Sequence, residues 1–203
     1  MSQQYDIKKI ASNAFFHKEY IFTINESGLH KFNIANSSES CYLENSNLNI
    51  FDSCGFLFVY VENSEVVLHN LNREILCDNI PLKNRSAATC ISFSKSGVLF
   101  AIGFEDGQVS IFSTLTKTLI NSFSIIKEQK IEHISFSSDE VLVASSSNIV
   151  AAINLLEKVV LKKIEVKNLK NIVTTLNYII YSLDSNQLKF EPINGGESKS
   201  IPV

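Results

Sequence analysis

Residue types that could support catalysis or metal binding are present, but their spacing does not bring them together. The histidines are His17, His30, His69 and His133, and the cysteines are Cys41, Cys54, Cys77 and Cys90. No histidine lies at a ligand spacing from a cysteine or a carboxylate, and no two cysteines form a CxxC pair. The GxSxG, GxxxxGK and HExxH motifs are absent from the sequence. We therefore predict no catalytic residue, cofactor or metal site, and we interpret the cysteines as buried thiols.

A group of basic side chains is the main charged feature of the sequence. Five lysines lie close together, in the region of residues 158–170: Lys158, Lys162, Lys163, Lys167 and Lys170. Glu157 and Glu165 lie among them, and the whole chain has a net charge of -3, so a broad nucleic-acid-binding face is not expected. We interpret the group as a solvated strand edge, because lysines protect such edges from aggregation. The last four of these lysines are nevertheless candidate partner contacts, and an RNA-associated assembly factor is an alternative hypothesis.

Short apolar runs separated by turn residues recur along the chain and predict β-structure. Sustained helical periodicity with good caps is missing. Each of five predicted hairpins has a turn residue suited to positive φ or a tight turn, and successive turns are separated by 36, 43, 41 and 38 residues. These turn residues are Gly28, Ser64, Gly107, Asn148 and Asn186. A period near 40 residues is typical of four-stranded propeller blades.

Two further strands complete each predicted unit. Inner strands are predicted before the hairpins, at residues 7–15, 48–51, 89–93, 131–136 and 172–176. Outer strands are predicted after them, at 40–43, 73–80, 117–125, 158–166 and 198–203. The sequence thus predicts an all-β chain, a single β-propeller domain over 1–203 with four-stranded antiparallel blades at about 6–45, 46–83, 84–127, 128–167 and 168–203. Stacked sheets bury the two apolar faces that each sheet would expose alone.

The third unit carries the most specific motif. Residues 87–97 resemble the first strand and "SPDG" turn of a WD repeat, and residues 105–113 resemble its "xDGxVxxWD" hairpin. Asp106 and Gly107 match the structural turn of that hairpin, while Phe112 replaces the family's Trp and Ser113 its Asp. No unit has the Gly-His or Trp-Asp pair. The chain is identified by this resemblance as a divergent member of the WD-repeat β-propeller family.

The resemblance implies a function without catalysis. WD-like proteins mostly act as protein-interaction scaffolds within larger assemblies, so we expect protein partners and an intracellular location in the cytoplasm or nucleus. Phe15 and Phe16, near the start of the first unit, are candidate partner contacts. The sequence has no apolar run long enough to span a membrane and no signal peptide pattern.

Five units leave two questions open. The chain could be the N-terminal part of a longer, seven-bladed protein, an open propeller completed by a partner, or a five-bladed ring. Some five-bladed rings are glycoside hydrolases, which use paired carboxylates. The candidate acids in or beside the predicted inner strands are Asp6, Asp52 and Glu132. Three acids spread over five strands predict solvated positions, and a glycoside hydrolase or sugar-binding ring remains an alternative hypothesis.

Overall fold

Five four-stranded antiparallel sheets, each formed by consecutive strands, make up the computed structural model. The structure describes residues 14–25, 27–44, 48–73, 77–183 and 187–202. In every sheet the strands lie in sequence order, so each sheet is a meander in which neighbouring strands are joined by a turn. The predicted all-β fold with about five propeller blades is therefore confirmed.

We number the sheets as blades 1 to 5 in chain order. Blade 1 contains β1 (Ala14–His17), β2 (Tyr20–Asn25), β3 (Gly28–Asn33) and β4 (Glu39–Glu44). Blade 2 contains β5 (Phe51–Cys54), β6 (Leu57–Glu62), β7 (Glu65–Asn70) and β8 (Cys77–Pro81). Blade 3 contains β9 (Ala88–Phe93), β10 (Leu99–Phe104), β11 (Gln108–Ser113) and β12 (Leu119–Ser124). Blade 4 contains β13 (His133–Phe136), β14 (Val141–Ser145), β15 (Ile149–Asn154) and β16 (Val159–Glu165), and blade 5 contains β17 (Asn171–Thr174), β18 (Tyr178–Ser182), β19 (Gln187–Pro192) and β20 (Lys199–Pro202).

The predicted hairpins agree with the structure better than the predicted inner strands do. The inner strand of blade 2 was predicted at 48–51 but is β5, Phe51–Cys54. The apolar run that suggested the earlier position begins at Leu48, which is buried ahead of the strand instead of pairing in it. The strand β1 continues past residue 15 to His17, and positions 7–13 of its predicted range lie outside the described residues.

The chain divides into two compact units, the first ending at Asn49 and the second beginning at Ile50. The first unit contains blade 1. Its core is aromatic: Phe22 is buried and stacks parallel to Phe15, with ring centroids 5.2 Å apart. Tyr42 contacts the same ring edge-on at 5.5 Å. These contacts explain why a single sheet can bury one of its faces locally.

The second unit contains blades 2 to 5, and its core lies between consecutive blades. The cluster between blades 2 and 3 includes Phe93, Phe100, Phe104 and Phe112. Phe100 and Phe112 stack with their ring centroids 5.1 Å apart and their planes 6° from parallel. Phe112, which replaces the family's Trp, is therefore a core residue that fixes the third strand against the second. Two further clusters fill the junctions between blades 3 and 4 and between blades 4 and 5.

Side-chain hydrogen bonds connect the inner strands of neighbouring blades. The Asp52 carboxylate of β5 accepts a hydrogen bond from the Phe93 backbone N–H of β9 at 2.7 Å. The Thr89 hydroxyl of β9 donates to the Ile131 carbonyl just before β13. Ser135 of β13 and Thr174 of β17 are joined at 3.0 Å. Each inner strand has one edge without a paired strand, and the first two of these bonds satisfy backbone groups at the junctions between such edges.

The junction between blades 2 and 3 yields a prediction about Asp52. Burial raises the pKa of this carboxyl above its usual range, although hydrogen bonds from Phe93 and Ser53 oppose the shift. The ionised form is therefore disfavoured in the folded state. We expect D52N to be at least as stable as wild type at neutral pH, because its amide oxygen can still accept the Phe93 hydrogen bond. D52A should lower the free energy of unfolding by about 1–3 kcal/mol, because it leaves that buried N–H unpaired.

The pH dependence of stability distinguishes the cost of burying the ionised Asp52 carboxylate from the value of its hydrogen bond to Phe93. Because the folded-state pKa of Asp52 exceeds the unfolded-state value, its contribution to stability is fully present below the unfolded-state pKa and is lost as the pH rises through the folded-state pKa. Urea unfolding should therefore show the advantage of D52N shrinking as the pH falls from 7 towards about 4. A D52N variant that is as destabilised as D52A at neutral pH would contradict this account.

A second prediction concerns Gly107, which has a φ of 81° in the turn between β10 and β11. A Cβ atom at this position would lie 1.6 Å from the Ile126 carbonyl oxygen. We expect G107A to lower the free energy of unfolding by about 3 kcal/mol or more, because backbone strain and a backbone clash add together.

Gly55 supplies the matched control for this variant. Its φ is 59°, but a Cβ there would have no atom within 4 Å. G55A should therefore cost only the left-handed backbone penalty, about 1 kcal/mol. Equal losses for the two variants in urea unfolding would show that the contact with Ile126 is unimportant.

Candidate functional site

One end of the second unit is formed by two kinds of turn, those joining first to second strands and those joining third to fourth strands. We call this surface the turn face; it comprises residues 55–56, 71–73, 94–98, 114–118, 137–140, 155–158, 175–177 and 193–198. Successive turns contact one another: the Ser96 N–H donates to the Asp139 carboxylate at 3.1 Å, and the Ser137 hydroxyl donates to the Thr175 carbonyl at 2.7 Å. The turns of neighbouring blades therefore form a continuous surface.

The turn face concentrates exposed apolar side chains. Its large exposed hydrophobic residues, with their exposed fractions, are Phe56 (44%), Val98 (51%), Leu115 (86%), Leu156 (70%) and Leu176 (66%). At the opposite end of the same strands, the described turns at 63–64, 105–107 and 146–148 contain no exposed large hydrophobic residue. Apolar side chains gathered on one surface are typical of a protein-interaction site, whereas single exposed ones are not informative.

A groove of about 670 Å³ lies on the turn face between blades 2 and 3. Phe56, Val98 and Leu115 contribute apolar side chains to its lining. Lys117 and Asp78 lie at the same groove and form an ion pair at 2.7 Å that joins the two blades. An apolar centre with charged groups beside it is the usual composition of a protein-binding surface.

The thiol of Cys54 and the imidazole of His69, which both line the groove, have pKa values shifted towards their neutral forms. Burial raises the pKa of the Cys54 thiol, and the carboxylates of Asp52 and Asp139 raise it further. Burial lowers the pKa of the His69 ring. A thiol whose pKa is raised by burial is a poor candidate for an activated nucleophile. The groove is therefore chemically suited to contact and burial.

Hydrogen bonds fix the turns that present the apolar residues. The Ser113 hydroxyl accepts from the Thr116 N–H at 3.1 Å, and the Asn154 side-chain oxygen accepts from the Leu156 N–H at 2.9 Å. Lys117 and Lys158 each adopt a φ of 58°, which closes these turns. Leu115 and Leu156 consequently lie in ordered turns, and their presentation to a partner would lose little conformational entropy.

Sequence reasoning missed this surface, although a signal for it was present. The third strand of each of the first four blades ends in a residue whose side-chain oxygen accepts a backbone hydrogen bond from the following turn: Asn33, Asn70, Ser113 and Asn154. Ser113 is the residue that replaces the family's Asp. The repeated Asn or Ser, followed by leucine two positions later in blades 3 and 4, would have identified capped turns with exposed apolar tips.

The predicted contact residues lie in several different environments. Phe15 is half-buried through its stacking on Phe22, whereas Phe16 is 72% exposed at the end of β1. Lys162 is not a surface lysine: its ammonium forms a 2.8 Å ion pair with Glu191 and a 3.1 Å hydrogen bond to the Pro192 carbonyl. It therefore joins blade 4 to blade 5.

The three remaining lysines and the predicted acids lie elsewhere. The exposed lysines are Lys163, Lys167 and Lys170. Asp52 is bonded to Phe93 between two inner strands, Glu132 is exposed, and Asp6 lies outside the described residues. The structure thus places Asp52 and Glu132 in different surroundings, and among residues 14–25, 27–44, 48–73, 77–183 and 187–202 no group of three or more His, Cys, Asp or Glu could hold a metal ion.

Asp106 and Gly107 lie in the turn between β10 and β11, at the end opposite the turn face. The Asp106 carboxylate accepts the Gln108 N–H at 3.1 Å, and the Asp106 N–H donates to the Ser86 hydroxyl at 3.1 Å. The Gly107 carbonyl accepts from the Ile125 N–H at 3.1 Å. These contacts tie the hairpin of blade 3 to the segments before and after it.

No helix in the described part of the chain is long and apolar enough to cross a membrane.

The comparisons with known proteins agree with this architecture. The family model of the anaphase-promoting complex subunit 4 WD40 domain matches residues 53–139, which cover most of blades 2 and 3 and the start of blade 4. No curated protein matches the chain.

Several solved structures share the fold at low sequence identity. Raptor from Chaetomium thermophilum has a TM-score of 0.70 at 14% identity, over 87% of this chain and 18% of that one. A chain of the mitotic checkpoint complex has a TM-score of 0.73 at 8% identity, over 94% and 66%. Hsv2 from Kluyvelomyces marxianus has a TM-score of 0.73 at 12% identity, over 88% and 64%. This chain thus spans less than two thirds of each of these chains.

Four-stranded blades, the WD-like hairpin of blade 3 and the match over residues 53–139 lead to one assignment. The chain has a WD40-type β-propeller fold, and its residues 53–139 match a WD40 family model.

Proposed function

We propose that this protein is a non-catalytic interaction scaffold, a subunit of a larger intracellular assembly, and that it binds a partner protein through the turn face. The observation that carries the proposal is the groove between blades 2 and 3, with Phe56, Val98 and Leu115 exposed at its lining. Burial of these side chains against a partner would release water from apolar surface and favour association.

The shape and chemistry of the groove favour an apolar segment of a partner as its occupant. Its volume of about 670 Å³ is large enough for several side chains. The Lys117–Asp78 ion pair and Arg73 lie at the same groove and offer both signs of charge to the partner's polar groups. Charged groups of both signs beside an apolar centre favour orientation and specificity more than raw affinity.

The assembly role rests on fold analogy. The matching family model is named for a subunit of the anaphase-promoting complex, and one similar chain belongs to the mitotic checkpoint complex. Both names denote multi-protein assemblies. The cysteines Cys41, Cys54 and Cys90 are free, as expected in the reducing environment of the cytoplasm or nucleus.

A surface variant tests the turn face. Leu115 is 86% exposed, so L115D should leave the melting temperature nearly unchanged while it places a charge at the groove. We expect at least one protein that co-purifies stoichiometrically with the wild-type chain from its native source to fall by about tenfold or more with L115D, as for a central interface residue. Quantitative mass spectrometry of the co-purified proteins measures this loss.

S147D is the matched control for this experiment. Ser147 is exposed in the turn between β14 and β15, at the opposite end of the strands, and the variant adds the same charge. S147D should retain the partner at the wild-type level. The proposal is wrong if the chain is partnerless, if L115D retains every partner, or if both variants lose the partner equally.

A further inference from the structure

A second cavity, of about 440 Å³, lies between the outer parts of blades 2 and 3, away from the turn face. One side is formed by β11 and β12, and the other by residues 81–85, which begin the connector between the two blades. The cavity shares no lining residue with the groove described above. Its chemistry is therefore a separate question from the docking of a partner on the turn face.

The cavity is associated with an unusual connector. At the junction of blades 3 and 4, the connector inserts Ile126 and Ile131, which are 1% and 0% exposed, into the core. At the junction of blades 4 and 5, the connector contributes the buried Val166. The connector between blades 2 and 3 begins with Leu82, which is only half-buried, and continues with polar residues. It leaves room where the later connectors place apolar side chains.

Two cations line this cavity without an ionic partner. Lys83 and Arg85 are exposed, are separated by one residue, and both line the cavity. Neither forms an ion pair or a side-chain hydrogen bond with any residue that the structure describes. By contrast, Lys117 and Lys162 are paired with carboxylates. Two unpaired positive charges at one cavity favour an anionic occupant.

Neutral hydrogen-bond donors lie on the β11–β12 side. The hydroxyls of Ser110 and Ser122 are 3.0 Å apart, so one donates to the other and one hydroxyl hydrogen remains available. Ser110 is 5% exposed, so this pair is held in place within the sheet. The side-chain amide of Gln108 also lines the cavity and makes no hydrogen bond to the described part of the chain. These groups can donate to an anion that the cations attract.

The carboxylate next to the cavity, Asp106, does not exclude an anionic occupant. No carboxylate occurs among the residues that the structure places along its lining. Asp106 lies next to it, but its oxygens accept hydrogen bonds from the Gln108 N–H at 3.1 Å and from the Asn84 amide at 3.4 Å. The Asn84 amide thus stands between Asp106 and the cavity that Asn84 itself lines.

From this arrangement we propose that the cavity binds a phosphorylated serine or threonine side chain of a partner protein. A phosphate monoester carries nearly two negative charges, which match Lys83 and Arg85, and its three oxygens can accept from the neutral donors. The apolar walls, which include Phe104, Phe112 and Leu119, suit the carbon atoms of the peptide that carries the phosphate. A membrane-bound phosphate is less suited, since the exposed large apolar residues of the adjoining strand β12 are only Leu119 (37%) and Ile120 (56%), too small a surface to enter a bilayer.

Fluorescence polarisation with the whole chain can test the proposal. The probes are two labelled peptide libraries with degenerate flanking positions, one with phosphoserine or phosphothreonine fixed at the centre and one with the unmodified residue. We expect the phosphorylated library to bind about tenfold or more tightly, and the K83Q/R85Q variant to lose that preference. Both substitutions are at exposed positions, so the melting temperature should stay at the wild-type value.

K127Q/K130Q is the matched control, because it removes two exposed charges from the connector between blades 3 and 4. It should retain the preference for the phosphorylated library. Equal affinity for both libraries, or equal losses in the two double variants, would overturn the proposal. Binding to phosphatidylcholine vesicles that contain a phosphatidylinositol phosphate, without binding to the phosphorylated library, would also overturn it and would assign the cavity to a lipid headgroup.

Discussion

Apolar packing between neighbouring blades is the interaction on which the rest of the second unit depends. A four-stranded sheet has two apolar faces, and apolar clusters fill the junctions between blades 2 and 3, 3 and 4, and 4 and 5. This packing brings the short inner strands side by side, where their unpaired edges would lose hydrogen bonds to water. The bonds from Asp52 to Phe93 and from Thr89 to Ile131 compensate for that loss. The polar contacts between blades are thus a consequence of the apolar ones.

The same packing determines where function can lie. Since neighbouring blades occupy the sheet faces at the junctions within blades 2 to 5, the surfaces left for recognition around these junctions are the turns at the two ends, the outer strands and the connectors. The two ends differ: Leu115 and Leu156 project from hydrogen-bonded turns at one end, whereas polar residues such as Asp106 and Asn148 form turns at the other. This difference is what makes the turn face the stronger candidate for protein binding. It arises from side chains in turns, which the blade fold itself does not constrain.

The hairpins could be predicted from the sequence because their signals are local. Gly107 must adopt a positive φ, and the apolar residues on either side of it fit paired strands. The inner strand β5 was misplaced by three residues, since a short buried strand and a buried connector residue such as Leu48 have the same local pattern. The groove could not be predicted, because Phe56 and Leu115 come together only through the packing of two blades. Likewise, the partner of Lys162 is Glu191, which is distant in sequence.

The cavities between blades 2 and 3 depend on which residues supply the apolar side chains that fill this junction. In that junction four phenylalanines occupy much of the space between the sheets, and the connector adds only the half-buried Leu82 to the cluster. In the next junction the facing residues include Ala101 and Ala144, and Ile131 packs where a Cβ on Gly103 would otherwise lie, only 2.6 Å from its Cγ2 atom. The connector there must complete the core, and its sequence is constrained accordingly. The connector that begins at Leu82 contributes only that half-buried side chain, which is why lysine and arginine can be accommodated beside a cavity at the edge of an apolar core.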